Sequence, residues 1–170
     1  MSRAALVTSL LLALPLSGCT TYDVAEVRRP DAHAVAPDAA EVCVVRPHVM
    51  GALVPSIVRD NGVLVGATEG PSMFCWAAMP GAHAITIEGG DDVDRAFATS
   101  THDAAALEAT AGRRYWLHQP VGNLYGVSGL EWVDEATGAD MASECTYKAL
   151  RRVPGSDALP TGAPVAAASR

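Results

Sequence analysis

Short apolar runs separated by turn signals constrain the fold of this chain more than any other feature of its sequence. The runs recur about every 8–12 residues and are rich in β-branched and aromatic side chains, a pattern typical of antiparallel sandwiches and barrels. They cover residues 41–46, 54–59, 63–65, 72–77, 82–88, 94–99, 104–109, 113–118 and 129–134. We therefore predict a mainly β fold, an antiparallel β-sandwich of about seven or eight short strands.

Two clear turn signals lie between neighbouring runs. Asp60-Asn61-Gly62 lies between two apolar runs, and Asn-Gly is a strong hairpin signal because both residues tolerate positive φ. Pro80-Gly81 marks a second turn before the run that begins at Ala82.

The end of the domain breaks the strand pattern. Residues Ala139 to Leu150 lack β-branched runs and contain Ala, Met, Glu, Lys and Leu, so we predict one closing C-terminal helix there. The predicted domain then spans residues 41–150, a length that can bury one sizeable core.

Both flanks differ from the domain in composition. Residues 19–40 are dominated by alanine, proline and charge, which predicts a flexible tether. Residues 151–170 are low in complexity and are predicted to form a disordered tail.

The N-terminus predicts export. An almost wholly apolar run from Ala4 to Leu16 follows Arg3, and its helix would be about 20 Å long, too short to span a bilayer core. Residues 1–18 are thus expected to be a signal peptide. Leu16-Ser17-Gly18-Cys19 resembles the lipobox of bacterial lipoproteins, which implies cleavage between Gly18 and Cys19 and lipidation of Cys19. The alternative is an ordinary signal peptide with an incidental cysteine.

Charge limits the classes of partner. The net charge is −7, and an acidic chain is repelled by the phosphates of nucleic acid, so we expect no nucleic-acid partner. The sequence also has no polybasic patch that would bind a membrane surface. Membrane attachment is expected through the lipid on Cys19. Thr20, rather than Asp, follows that cysteine, which by analogy favours the outer membrane, facing the periplasm.

Three cysteines remain after Cys19, namely Cys43, Cys75 and Cys145. An exported compartment is oxidising, so one disulfide is expected, and three pairings are possible. Cys75 with Cys145 is the preferred pairing because it would join the closing helix to the sheet. Three buried thiols are the alternative.

No constellation for catalysis or metal binding is visible, so we predict no catalytic residue, no metal, no cofactor and no enzyme activity. The histidines show no ligand spacing and are interpreted as surface or partly buried side chains: His33, His48, His83, His102 and His118. Asp91, Asp92 and Asp94 are interpreted as a solvated acidic loop rather than a calcium site. Gly126-Val127-Ser128-Gly129 is one residue short of a nucleophile elbow and is interpreted as a turn.

All three tryptophans, Trp76, Trp116 and Trp132, lie in predicted strands. Core packing is the expected role. The alternative is an exposed aromatic surface for a partner or a glycan.

Five short motifs occur in a fixed order: V-C-V-V-R-P, V-R-D-N-G-V-L-V-G, P-G-A-H-A-I, A-T-A-G-R-R-Y-W-L and L-E-W-V-D-E. Together they resemble a bacterial lipoprotein domain of unknown function, over about Glu41 to Glu135. The resemblance implies a β-sandwich-like domain on a lipid anchor and carries over no catalytic residue. The chain departs from the pattern in its three additional cysteines and in Trp116, which replaces the second aromatic.

These observations predict a membrane-anchored envelope lipoprotein, a structural or protein-interaction module with a possible envelope protein as its partner. The alternative function is a small-ligand or glycan-binding lipoprotein that uses an aromatic surface.

Overall fold

A computed structural model describes residues 22–30, 35–49, 55–89, 105–120 and 129–152. In these ranges the chain forms ten strands and one helix. The strands are β1 Tyr22–Glu26, β2 Ala40–Arg46, β3 Ser56–Asp60, β4 Val63–Thr68, β5 Ser72–Ala78, β6 Gly81–Gly89, β7 Ala105–Ala109, β8 Arg114–His118, β9 Glu131–Val133 and β10 Thr146–Arg152, and the helix is α1 Glu135–Ser143.

The strands form two sheets. One has six strands in the order β1-β10-β5-β2-β8-β9, and the other has four in the order β4-β3-β6-β7. The fold is therefore a β-sandwich with one helix, as predicted. Two pairs are parallel, β2 with β8 and β10 with β5, whereas the other pairs are antiparallel.

The main core lies between the two sheets. Alternate residues of each strand point to opposite faces, so Val42 and Val44 of β2 enter this core while Cys43 and Val45 face the other side. Phe74, Ile85 and Leu117 join the main core from other strands. A second cluster, on the outer face of the six-stranded sheet, packs against α1.

The Asn61-Gly62 hairpin is confirmed. Both residues have positive φ, 48° and 80°, as a two-residue hairpin turn requires. The Asn61 side chain accepts from the Ala84 backbone N–H at 3.0 Å and donates to the Ala82 carbonyl at 3.2 Å. It therefore holds the hairpin turn against the start of β6, just beyond the predicted Pro80-Gly81 turn.

The predicted tether is wrong for its strand-forming part. Residues 22–26 form β1, which pairs antiparallel with β10 from Tyr22↔Arg152 to Glu26↔Lys148. Val24 also packs against Ile57, Leu64, Ala67 and Leu150. The composition of this segment predicted a flexible tether. The strand that supplies its hydrogen bonds lies more than a hundred residues away in the chain, so no local pattern indicates the pairing.

The closing helix was placed too late in the sequence. It spans Glu135–Ser143 instead of starting at Ala139, because the Asp134 carboxylate caps the helix by accepting from the Thr137 backbone N–H at 2.9 Å. The second half of the predicted helix is strand β10, where Leu150 is buried against β4 and β3. This strand continues through Arg151 and Arg152, so the first two residues of the predicted tail are also ordered.

Several predictions fall outside the described residues. These are the signal peptide with Gly18 and Cys19, the strand at 94–99, the acidic loop at 91–94, the residues 126–128 and the tail from residue 153. Within the described ranges, α1 is the helix present, and it lacks the length and apolar character needed to cross a bilayer.

Candidate functional site

A groove runs along the open side of the sandwich, where β7 ends one sheet and β9 ends the other. It encloses about 720 Å³, within the range of about 300–1,000 Å³ that is usual for small-molecule sites. Its walls include Ala106, Glu108, Arg113, Tyr115, Trp132 and Asp134. We call this feature the edge groove.

Trp132 joins the two sheets across the edge groove. It lies directly opposite Leu117 in the β8–β9 pair, and Leu117 points into the main core, so the indole is on the face turned toward the other sheet. Its Nε1–H donates to the Ala106 carbonyl of β7 at 3.1 Å. Trp132 is nevertheless 39% exposed, whereas Trp76 and Trp116 are each 3% exposed.

Tyr115 forms the second aromatic wall. Its ring meets that of Trp132 edge to face, with the centroids 6.2 Å apart. Its hydroxyl accepts from the Thr110 backbone N–H at 3.1 Å, which closes the turn around Gly112. The guanidinium of the exposed Arg113 lies over the Tyr115 ring, 5.7 Å from its centroid.

Arg114 and Glu135 also line the edge groove, beside Trp116 on the other face of β8. Arg114 pairs with the Glu41 carboxylate and lies 3.5 Å from Glu135, and these carboxylates outweigh the effect of burial and raise the pKa of Arg114. Glu135 also accepts from the Trp116 indole at 2.9 Å. These contacts join the start of α1 to β8 and β2.

The Asp60 and His83 side chains form a second polar cluster at the hairpin end of the sandwich. Both Asp60 carboxylate oxygens lie 2.8 Å from His83 Nδ1, and Asp60 also accepts from the Trp76 indole at 3.0 Å. His83 Nε2 lies 2.7 Å from the Met79 carbonyl. Because both ring nitrogens face acceptors, this histidine is held in place and has no nitrogen left to act as a base on a substrate.

The pKa of His83 reflects these contacts. Partial burial lowers the pKa, but the hydrogen bonds to Met79 and Asp60 and the charges of Asp60 and Glu108 outweigh it, so the pKa lies above its usual value. The D-N-G and P-G-A-H motifs of this chain therefore meet in one structural contact.

The disulfide differs from the preferred prediction. Cys43 pairs with Cys75, and the Cys75–Cys145 pairing is wrong, because Cys43 and Cys75 are directly opposite on the antiparallel strands β2 and β5, with Cα atoms 4.1 Å apart. Cys145 packs in the same cluster as a thiol. Burial raises its pKa first of all, which keeps the thiol protonated and weakly nucleophilic.

The disulfide also bears on metal binding. Among the described residues, the one trio of potential ligands with atoms within 4.8 Å of each other is Glu41, Cys43 and Cys75. The disulfide removes both thiolates from that set.

A further polar group lies at the opposite end of the sandwich from His83. The rings of His48 and His118 are 6.0 Å apart, and Glu131 lies 3.6 Å from His118 Nδ1. Nearby, Gln119 donates to Ser56 at 2.9 Å inside the domain.

No family model, curated protein or solved structure matches this chain. The resemblance to a lipoprotein domain thus stays a prediction.

Sequence reasoning missed the edge groove. Its aromatics were visible as strand residues, but their exposure depends on β7 and β9 being the outermost strands, which no local pattern indicates. The His48–His118 contact was missed because it requires the parallel pairing of β2 with β8.

Proposed function

We propose that this chain is a lipid-anchored bacterial envelope protein whose edge groove binds a saccharide. The observation that carries the proposal is the half-exposed Trp132 ring beside Tyr115, within a groove of about 720 Å³. The anchor part rests on the sequence around Cys19.

The chemistry of the groove favours this ligand class. A pyranose ring presents an apolar C–H face together with many hydroxyl groups. The Trp132 and Tyr115 rings offer apolar surface, while Arg113, Glu108 and Asp134 place donors and acceptors at the rim. Oligosaccharides are also abundant in the bacterial envelope, where the predicted anchor would place the domain.

A protein-interaction role is less well supported by the described residues. The large apolar side chains exposed there are Val49, Val63, Met79 and Trp132, of which Trp132 alone lines the edge groove. Scattered single apolar residues are normal on protein surfaces. The interaction role stays a prediction.

Titration with soluble oligosaccharides tests the groove. Full-length protein in detergent is titrated with N-acetylglucosamine oligomers and with glucose oligomers, and tryptophan fluorescence is recorded. We expect saturable binding that Trp132→Ala weakens at least about ten-fold, since one aromatic anchor commonly contributes more than 1–2 kcal/mol. Met79→Ala, an exposed apolar residue outside the groove, is the control and should bind like the wild type.

If neither oligomer series binds, or if Trp132→Ala binds as tightly as the wild type, the saccharide site is refuted.

The anchor is tested separately. Cys19→Ala should abolish incorporation of a fatty-acid label and move the protein out of the membrane fraction, because two or three acyl chains are needed for firm attachment. A wild-type protein that takes up no label would refute lipidation without bearing on the groove.

A further inference from the structure

The two ring nitrogens of His118, at the end of β8, have different surroundings. Its Nε2 is shielded from solvent and has no hydrogen-bond partner among the described residues. Buried polar atoms are nearly always satisfied, so an orphaned ring nitrogen requires an explanation, and an absent ion is one of the recognised explanations.

The other ring nitrogen explains which tautomer is present. The Glu131 carboxylate lies 3.6 Å from Nδ1, which favours a proton on that atom and leaves a lone pair on Nε2. Histidines that bind metals commonly show this arrangement, with the second nitrogen turned toward a carboxylate.

A second imidazole is close enough to share an ion. The His48 ring is exposed and its centroid lies 6.0 Å from that of His118. Metal–nitrogen bonds of about 2.0–2.1 Å place two ligating imidazole centroids roughly 5–6.5 Å apart. The two rings are therefore already at a separation that a shared ion allows.

We propose that His48 and His118 form a two-histidine site for a divalent transition metal, with the Glu131 carboxylate beside Nδ1 orienting the His118 ring. Imidazole ligands suit zinc, copper and nickel ions. The site would tie the segment after β2 to β8 and β9, and it is independent of the edge groove.

Burial lowers the pKa of His118, and the neighbouring Glu131 carboxylate opposes that shift.

Calorimetric titration of chelator-treated, full-length protein in detergent with Zn²⁺ tests the proposal. We expect one ion per chain in the wild type, and loss of that binding in both His48→Ala and His118→Ala. Glu131→Gln should keep the stoichiometry but weaken binding at least about ten-fold, because the carboxylate that orients the ligating histidine is lost. His83→Gln changes a histidine that contacts Asp60 and Met79 instead, and this variant should bind like the wild type.

His48 is exposed, so His48→Ala tests the site even if His118→Ala fails to fold. Absence of zinc binding by the wild type, or binding that His48→Ala leaves unchanged, overturns the proposal.

Discussion

At the scale of single residues, the fold depends on a few long-range side-chain contacts that join strands far apart in the sequence. Asn61 links the hairpin turn to β6, Asp60 joins His83 and Trp76, and Cys43 is bonded to Cys75. The sequence does not show which residues these side chains contact, because pairing depends on strand register rather than on local pattern.

The His83 contact predicts that stability depends on pH. A histidine with a raised pKa in the folded state stabilises it fully below its unfolded pKa of about 6.5, and that contribution is lost as pH rises through the folded pKa. The free energy of unfolding should therefore fall more steeply between about pH 6 and 8 in the wild type than in His83→Gln.

Urea unfolding at each pH gives this comparison. Taking the difference between the two proteins removes the contribution of His118, whose lowered pKa acts in the opposite direction. Parallel pH profiles for wild type and His83→Gln would contradict the account of this contact.

We expect substitution of Cys43 and Cys75 to destabilise the protein, and substitution of Cys145 to have little effect. Cys43→Ala with Cys75→Ala should lower the free energy of unfolding by roughly 3–4 kcal/mol, because the bond closes a loop between residues 32 apart. Cys145→Ala is the control, with an expected loss of less than about 1 kcal/mol. A large loss for Cys145→Ala in unreduced protein would point to another pairing.

At the scale of elements, short apolar runs bounded by turn residues predicted most strands between β2 and β9. Elements whose neighbours are distant were mispredicted. β1 and β10 stabilise each other from opposite ends of the described chain. The start of α1 did carry a local signal, the capping pair Asp134 and Thr137, which amino-acid composition does not reveal.

The edge groove and the His48–His118 contact also depend on the order of the strands in the two sheets. Trp132 is exposed because β9 is an outermost strand, and His118 reaches His48 because β8 runs parallel to β2. A single sequence does not reveal such an order, since strands of similar composition can be arranged in several ways.

The packing of α1 against β8 can be tested by mutation. A Cβ on Gly138 would lie 2.3 Å from Cγ of the buried Trp116, so Gly138→Ala must displace the helix or the indole. Overpacking costs about 1–3 kcal/mol, which outweighs the gain in helix propensity of up to about 1 kcal/mol. We expect a net loss of roughly 1–2 kcal/mol by urea unfolding.

Gly129→Ala is the matched control, because nothing lies within 4 Å of the added Cβ. Equal stability of Gly138→Ala and Gly129→Ala would show that α1 is not packed on Trp116 as described.

At the scale of the whole molecule, strand β1 changes what the predicted anchor would do. β1 begins at Tyr22, three residues after Cys19, instead of after a tether of about twenty residues. A lipid on Cys19 would therefore hold the domain close to the bilayer by one edge of the six-stranded sheet.

The edge groove lies at the opposite edge of that sheet. Five strand spacings of about 4.8 Å separate β1 from β9, or roughly 24 Å. The proposed anchor and the proposed saccharide site are thus at opposite edges, so the groove would stay accessible to a ligand while the protein is attached to the membrane.

The three indole N–H groups allow the most direct test of the groove as the binding site. They have different partners, Asp60 for Trp76, Glu135 for Trp116 and the Ala106 carbonyl for Trp132. We would titrate ¹⁵N-labelled full-length protein in detergent with N-acetylglucosamine and glucose oligomers and follow these signals by NMR. We expect a saturable shift of the Trp132 indole signal while the Trp76 signal stays in place; an unmoved Trp132 signal at saturating oligosaccharide would show that the groove is not the binding site.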